Sequence, residues 1–161
     1  MGCSGPGGQA GPRVPARDGC AAGRLSVRVF FDNCTSPVLA ETVGGYLRHL
    51  GQRADHIRDL PCGRHASDFE WIAYLAGTGD EWLTVTGDGR LQKNKAERAA
   101  FRRAGLKGIV LAPAYQKTPL NQQASFLIWR WPEIQSLLKL APPFLFEVPM
   151  GKASGIRQLP L

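Results

Sequence analysis

The sequence predicts a doubly wound α/β domain, three layers deep, with a mainly parallel central sheet and helices on both faces. Three observations carry that expectation. Five short apolar runs bounded by turn residues alternate with segments whose apolar residues recur at helical spacing. The first run, VRVFF, is continuous rather than alternating, which suits a strand buried on both faces. The 161 residues are also enough for one ordinary domain with a respectable core and too few for two.

Taken in order, residues 1–24 are mostly Gly, Pro, Ala and Arg without apolar periodicity, so this stretch is expected to be disordered. It has no signal-peptide core, and no apolar run in the chain approaches the roughly 18 residues that a membrane span requires. The cytoplasm is therefore the expected compartment, with no membrane partner. The domain is expected over 25–150, followed by a Gly, Pro and Arg tail over 151–161.

Val27 to Phe31 forms the first strand and stops at Asp32. Ser36 is a natural N-cap, and Pro37 suits the first helical position because its missing N–H would be unpaired there anyway. Val38, Leu39, Val43, Tyr46, Leu47 and Leu50 then mark a helix over Pro37–Leu50, closed by Gly51. Gly44 and Gly45 inside it weaken the helix and let it approach the sheet closely. A second strand over Ala54–Arg58 ends at Asp59, the segment LPCGRHA is loop, and a helix starts at Ser67 with a Ser67–Glu70 capping box. Asp68 occupies its first helical position, where the helix dipole favours an anion.

A third strand over Trp82–Thr86 closes at Gly87, Asp88 and Gly89. Arg90 to Lys107 reads as one amphipathic basic helix, with Ala96, Ala99, Ala100 and Ala104 inward and seven cations against the single acid Glu97. A solvated face explains some of those charges, yet their number favours phosphate contact. A fourth strand over Gly108–Ala112 precedes a helix opened by Thr118 and Pro119, running through Trp129 and expected to break and restart at Pro132. Its aromatic residues fall at core spacing. Phe144–Val148 is the last strand.

Asp32, Asp68 and Asp88 therefore fall on one rim of the sheet, with Asp59 nearby. An Asx turn, a helix dipole and an Asp-Gly turn are the local alternatives for the three. Gathered carboxylates repel unless a cation neutralises them, and their hard oxygen donors point to magnesium, with manganese as a substitute. The net charge of +7 favours a polyanionic partner such as nucleic acid. The four cysteines form no CxxC, Cys62 and His65 are an isolated CxxH, and His49, His56 and His65 have structural explanations. No Gly-rich dinucleotide loop, GxSxG elbow or HExxH is present.

Together, FFDNCTSP, HIRDL, SDFEW and the Thr86-Gly87-Asp88 strand end resemble the PIN-like domains of the VapC-type toxin family, over about Val27 to Arg90. The resemblance implies a Rossmann-like fold and a magnesium-dependent ribonuclease, often the toxin of a toxin–antitoxin pair and often a homodimer. On it, Asp32, Asp68 and Asp88 become catalytic metal ligands, with Asn33, Asp59 and Glu97 as additional candidates, and Arg90, Lys93, Lys95, Arg98 and Arg102 hold RNA. Two positions depart from the pattern: Asn33 stands where many relatives have Glu, and Arg90 where many have a second acid. Glu97 could supply the fourth acid, although an ion pair with Lys93 accounts for it as well. The alternative reading is a catalytically degenerate RNA-binding module on the same fold.

Overall fold

The computed structural model of the chain describes Met1 and residues 26–161; the expected disorder of residues 1–24 concerns a segment that lies, Met1 apart, outside the described residues. Strand β1 (Arg28–Phe31) shows why its sequence lacks alternation. Val29 and Phe31 face one layer of helices and Phe30 the other, and all three are fully buried. β1 pairs in parallel with β2 (Arg53–His56) on one side and β3 (Trp82–Thr86) on the other. β4 (Lys107–Leu111) and β5 (Phe144–Val148) extend the parallel sheet. The order is β2-β1-β3-β4-β5, with a short edge strand β6 (Arg157–Gln158) beside β5, so the expected doubly wound architecture is the one observed.

Helix α1 (Pro37–His49) and the long C-terminal helix α5 (Leu120–Leu137) cover one face through Leu39, Val43, Leu47, Leu127, Trp131 and Ile134. The other face carries α2 (Asp68–Gly77), the single turn α3 (Arg90–Lys93) and α4 (Lys95–Arg103), packed through Trp71, Ile72, Leu75, Leu91 and Phe101. The expected caps are in place. Ser36 accepts from Val38 N, and Ser67 with Glu70 forms the full capping box. Gly44 does permit a close approach, since a Cβ there would lie 3.2 Å from Ala54 Cβ on β2, whereas Gly45 would meet only Arg48.

Five expectations need correction. β2 ends at His56, because His56 Nδ1 accepts from Arg58 N at 3.2 Å and turns Ile57–Asp59 into a 3-10 turn. The basic segment is two helices, not one: Asn94 Oδ1 accepts from Ala96 N at 3.0 Å and caps a new start. Lys107 belongs to β4, where it is buried and bonds Glu81 and the Leu138 carbonyl, so it is no surface cation. α5 runs through Pro132 without a break, held by Trp131 and Ile134, which are fully buried on either side of it. The expected tail also returns to the sheet: Arg157–Gln158 form β6, antiparallel to β5.

Candidate functional site

The chain leaves β1 outward to β2 and returns to β3 on the opposite side of β1. Such a reversal opens a crevice beyond the carboxyl ends of the two strands, because their following loops diverge. Phe31 pairs with Val85, and Asp32 N donates to the Val85 carbonyl at 3.2 Å, so Asp32 stands beside Thr86 at the mouth of that crevice.

Asp32 is only 7% exposed. Its Oδ1 accepts from Cys34 N at 3.0 Å, so the Asx turn is real. Burial nevertheless pushes its pKa up to about 7, with the charges of Asp88 and Asp68 adding to the effect and the bond from Cys34 N opposing it. The loop behind it is braced. Thr35 donates N–H and Oγ1 to the Asp32 carbonyl at 3.1 and 2.7 Å. His56 Nε2 meets the Thr35 carbonyl at 3.1 Å, and because its Nδ1 accepts from Arg58 N, Nε2 is the donor. This is the structural role expected of His56.

The other carboxylates arrive from different elements. Asp68 begins α2, and its Oδ1 accepts from Trp71 Nε1 at 2.9 Å, while the Trp71 ring stacks on Phe30 of β1. Asp88 follows β3; its Oδ1 accepts from Arg90 N at 2.8 Å and its Oδ2 pairs with Arg90 Nε at 2.7 Å. Cys34 Sγ donates to the same Oδ2 at 3.1 Å, and burial first, then the Asp32 charge, push the thiol well above its ordinary range, so it stays protonated as a donor. Glu97 reaches in from α4. No ion pair joins it to Lys93 among the described residues; its Oε2 is buried without a partner, and burial together with Asp68 raises its pKa. Asp32, Asp68, Asp88 and Glu97 line one cavity of about 380 Å³, with Cys34 and Arg90.

The remaining candidates divide. Asn33 lines the cavity, but its amide nitrogen donates to the Arg64 carbonyl and ties down the loop before α2. Asp59 is absent from the cavity lining; its exposed carboxylate pairs with Arg58, because the 3-10 turn carries it away from the rim. Arg90 sits at the mouth, 76% exposed along its side chain and paired with Asp88. Lys93, Lys95 and Arg102 are exposed, whereas Arg98 is half-buried and donates to the Gln92 carbonyl at 3.1 Å, bracing the step between α3 and α4.

Among the described residues no three Asp, Glu, His or Cys groups already stand close enough to enclose an ion. The donor chemistry still fits a hard divalent cation: oxygen ligands only, two of them with raised pKa values, and one buried oxygen with no partner. Arg90 is the competitor for Asp88. Arg90→Ala is therefore expected to tighten magnesium binding by about threefold, a small factor because an exposed ion pair contributes no more than about 1 kcal/mol; calorimetric titration measures it.

One positioning residue gave no local signal in the sequence. Gln116 Nε2 donates to the Cys34 carbonyl at 3.0 Å and to the Gly87 carbonyl at 2.9 Å, joining the loops that carry Asp32 and Asp88. Gly87 is glycine for the same reason, since a Cβ there would overlap Gln116 Nε2 and the Cys34 carbonyl oxygen. Gly89 has room, its nearest neighbour being Gln92 Oε1 at 3.7 Å. Gly87→Ala is expected to cost about 1–3 kcal/mol in urea unfolding, as overpacking does. Gly89→Ala should stay within about 0.5 kcal/mol, as substitutions that create no clash do.

In comparison with known proteins, a family model described as a PIN like domain matches residues 27–113. That span holds β1 to β4 and all four cavity carboxylates. No curated protein and no solved structure matches the chain.

Proposed function

The chain belongs to the PIN-like domain family, whose members are generally nucleases, and from that premise we propose that it is a magnesium-dependent endoribonuclease. The observation that carries the proposal is the cavity itself. Four carboxylates from four separate elements converge there, and Glu97 Oε2 is left buried without a partner among the described residues. Buried carboxylates of that kind are costly unless a cation accompanies them.

In this reading Asp32, Asp68, Asp88 and Glu97 hold the ion. When bound, magnesium, or manganese in its place, lowers the pKa of a water and offsets charge developing on the scissile phosphate. The protein's own part is positioning. Cys34 N holds Asp32, Trp71 Nε1 fixes Asp68, and the Cys34 thiol with Arg90 fixes Asp88. Arg90 at the mouth also faces an arriving phosphate, while Lys93, Lys95 and Arg102 contact the backbone on either side. Arg98 adds charge to that surface from its half-buried position.

The finer reading is a VapC-type toxin, held by a small antitoxin over the acidic rim and paired as a homodimer; its support is the combination of FFDNCTSP, HIRDL, SDFEW and Thr86-Gly87-Asp88 in the sequence. One observation favours the alternative of a degenerate RNA-binding module, namely that Arg90 neutralises Asp88 where an acid would join the cluster. Incubation of the protein with a labelled structured RNA, in EDTA and in magnesium, separates the two. Cleavage that requires magnesium supports the nuclease, and intact RNA with retained, salt-sensitive binding supports the module.

A further inference from the structure

A second cavity of about 380 Å³ lies beside the acidic one, and Asp88 lines both. The short helix α3 divides them. Arg90 and Leu91 face the acidic cavity, and Gln92 and Lys93 line the second. Opposite α3, the second cavity is walled by Val110, Leu111 and Pro113 from the end of β4, with Lys117 at its edge.

On the reading of the acidic cavity as the cleavage centre, we propose that this second cavity holds one nucleobase of single-stranded RNA, the base flanking the bond that is cut. A base has an apolar flat face and a polar edge. The aliphatic walls suit the face, and the amide of Gln92 suits the edge, since its Nε2 is buried and has no acceptor among the described residues. A base carbonyl oxygen supplies that acceptor. Lys93 and Lys117 are both exposed, in position for the phosphates on either side. Both acids at this cavity are paired, Glu147 with Arg157 at 2.9 Å and Asp88 with Arg90 at 2.7 Å, so neither repels an anionic strand. Because Asp88 belongs to both cavities, the base and the scissile phosphate fall on adjacent units of one strand.

The test uses the full chain in EDTA, so that no RNA is cut. Binding of a fluorescein-labelled single-stranded hexanucleotide is measured by anisotropy beside a series in which each position in turn is abasic. One position is expected to lose about tenfold in affinity, the scale of a single base contact. Gln92→Leu, which keeps the shape and removes the amide, should shrink that penalty severalfold, while Lys117→Ala should weaken every oligonucleotide alike. A flat abasic series, or a penalty that Gln92→Leu leaves untouched, overturns the base site even if the protein cleaves RNA in magnesium. A penalty removed by Gln92→Leu supports it even if no RNA is cut, an outcome that overturns hydrolysis instead.

Discussion

Asp32→Asn is expected to lower magnesium-dependent RNA cleavage by roughly 100-fold or more, corresponding to about 3 kcal/mol of lost transition-state stabilisation. The side chain keeps its shape and its bond from Cys34 N, and loses only the charge. Asp88→Asn should fall as far, because Asp88 joins the cavity to Arg90 and Cys34. Glu97→Gln should lose about tenfold, since it removes the charge from a carboxylate whose Oε2 is buried with no partner among the described residues. Asp59→Asn is the control: it lies outside the cavity with an exposed carboxylate, and its rate should stay within about twofold of wild type. Wild-type rates in Asp32→Asn would remove the acidic cavity from the reaction altogether.

The second large effect is on stability against pH. The native Asp32 carboxyl titrates at about 7 because it is buried among other carboxylates, whereas an unfolded Asp titrates near 3.9. Between those values the native state binds the extra proton, so raising the pH removes stability. That contribution is fully present below about pH 4 and gone above about pH 7, a difference on the order of a few kcal/mol. Urea unfolding in EDTA should therefore show wild type losing stability from pH 5 to 8, and Asp32→Asn losing much less and exceeding wild type at pH 8. Magnesium should reverse the slope, since an ion competes with the proton and its stabilisation grows as the proton leaves. Parallel pH curves for the two proteins would show that Asp32 is not the group that titrates.

Much of this arrangement is written locally. The uninterrupted VRVFF run, the Ser36-Pro37 and Ser67–Glu70 helix starts and the strand ends at Asp32 and Asp88 each depend on neighbours a few residues away, and each was readable for that reason. Asn94 as a second cap was legible in principle, because an Asn three residues before Glu97 is a cap signal, but the continuous run of charge hid it. Lys107 was misplaced because charge alone does not reveal burial, and Glu81 and the Leu138 carbonyl, which make its burial tolerable, are 26 and 31 residues away.

By itself, then, the sequence determined the alternation of strands and helices, the doubly wound class and the delivery of three carboxylates to one rim, all consequences of local periodicity and capping. Only the tertiary structure decided which acids meet. It brought Glu97 in from α4 and turned Asp59 away. It set Arg90 on Asp88 and used Gln116 to join loops whose nearest points, Cys34 and Gly87, lie 82 and 29 residues from it. The physical reason is that a hydrogen bond or an ion pair depends on distance in space, and packing the helices on the sheet sets those distances without leaving a repeat in the chain.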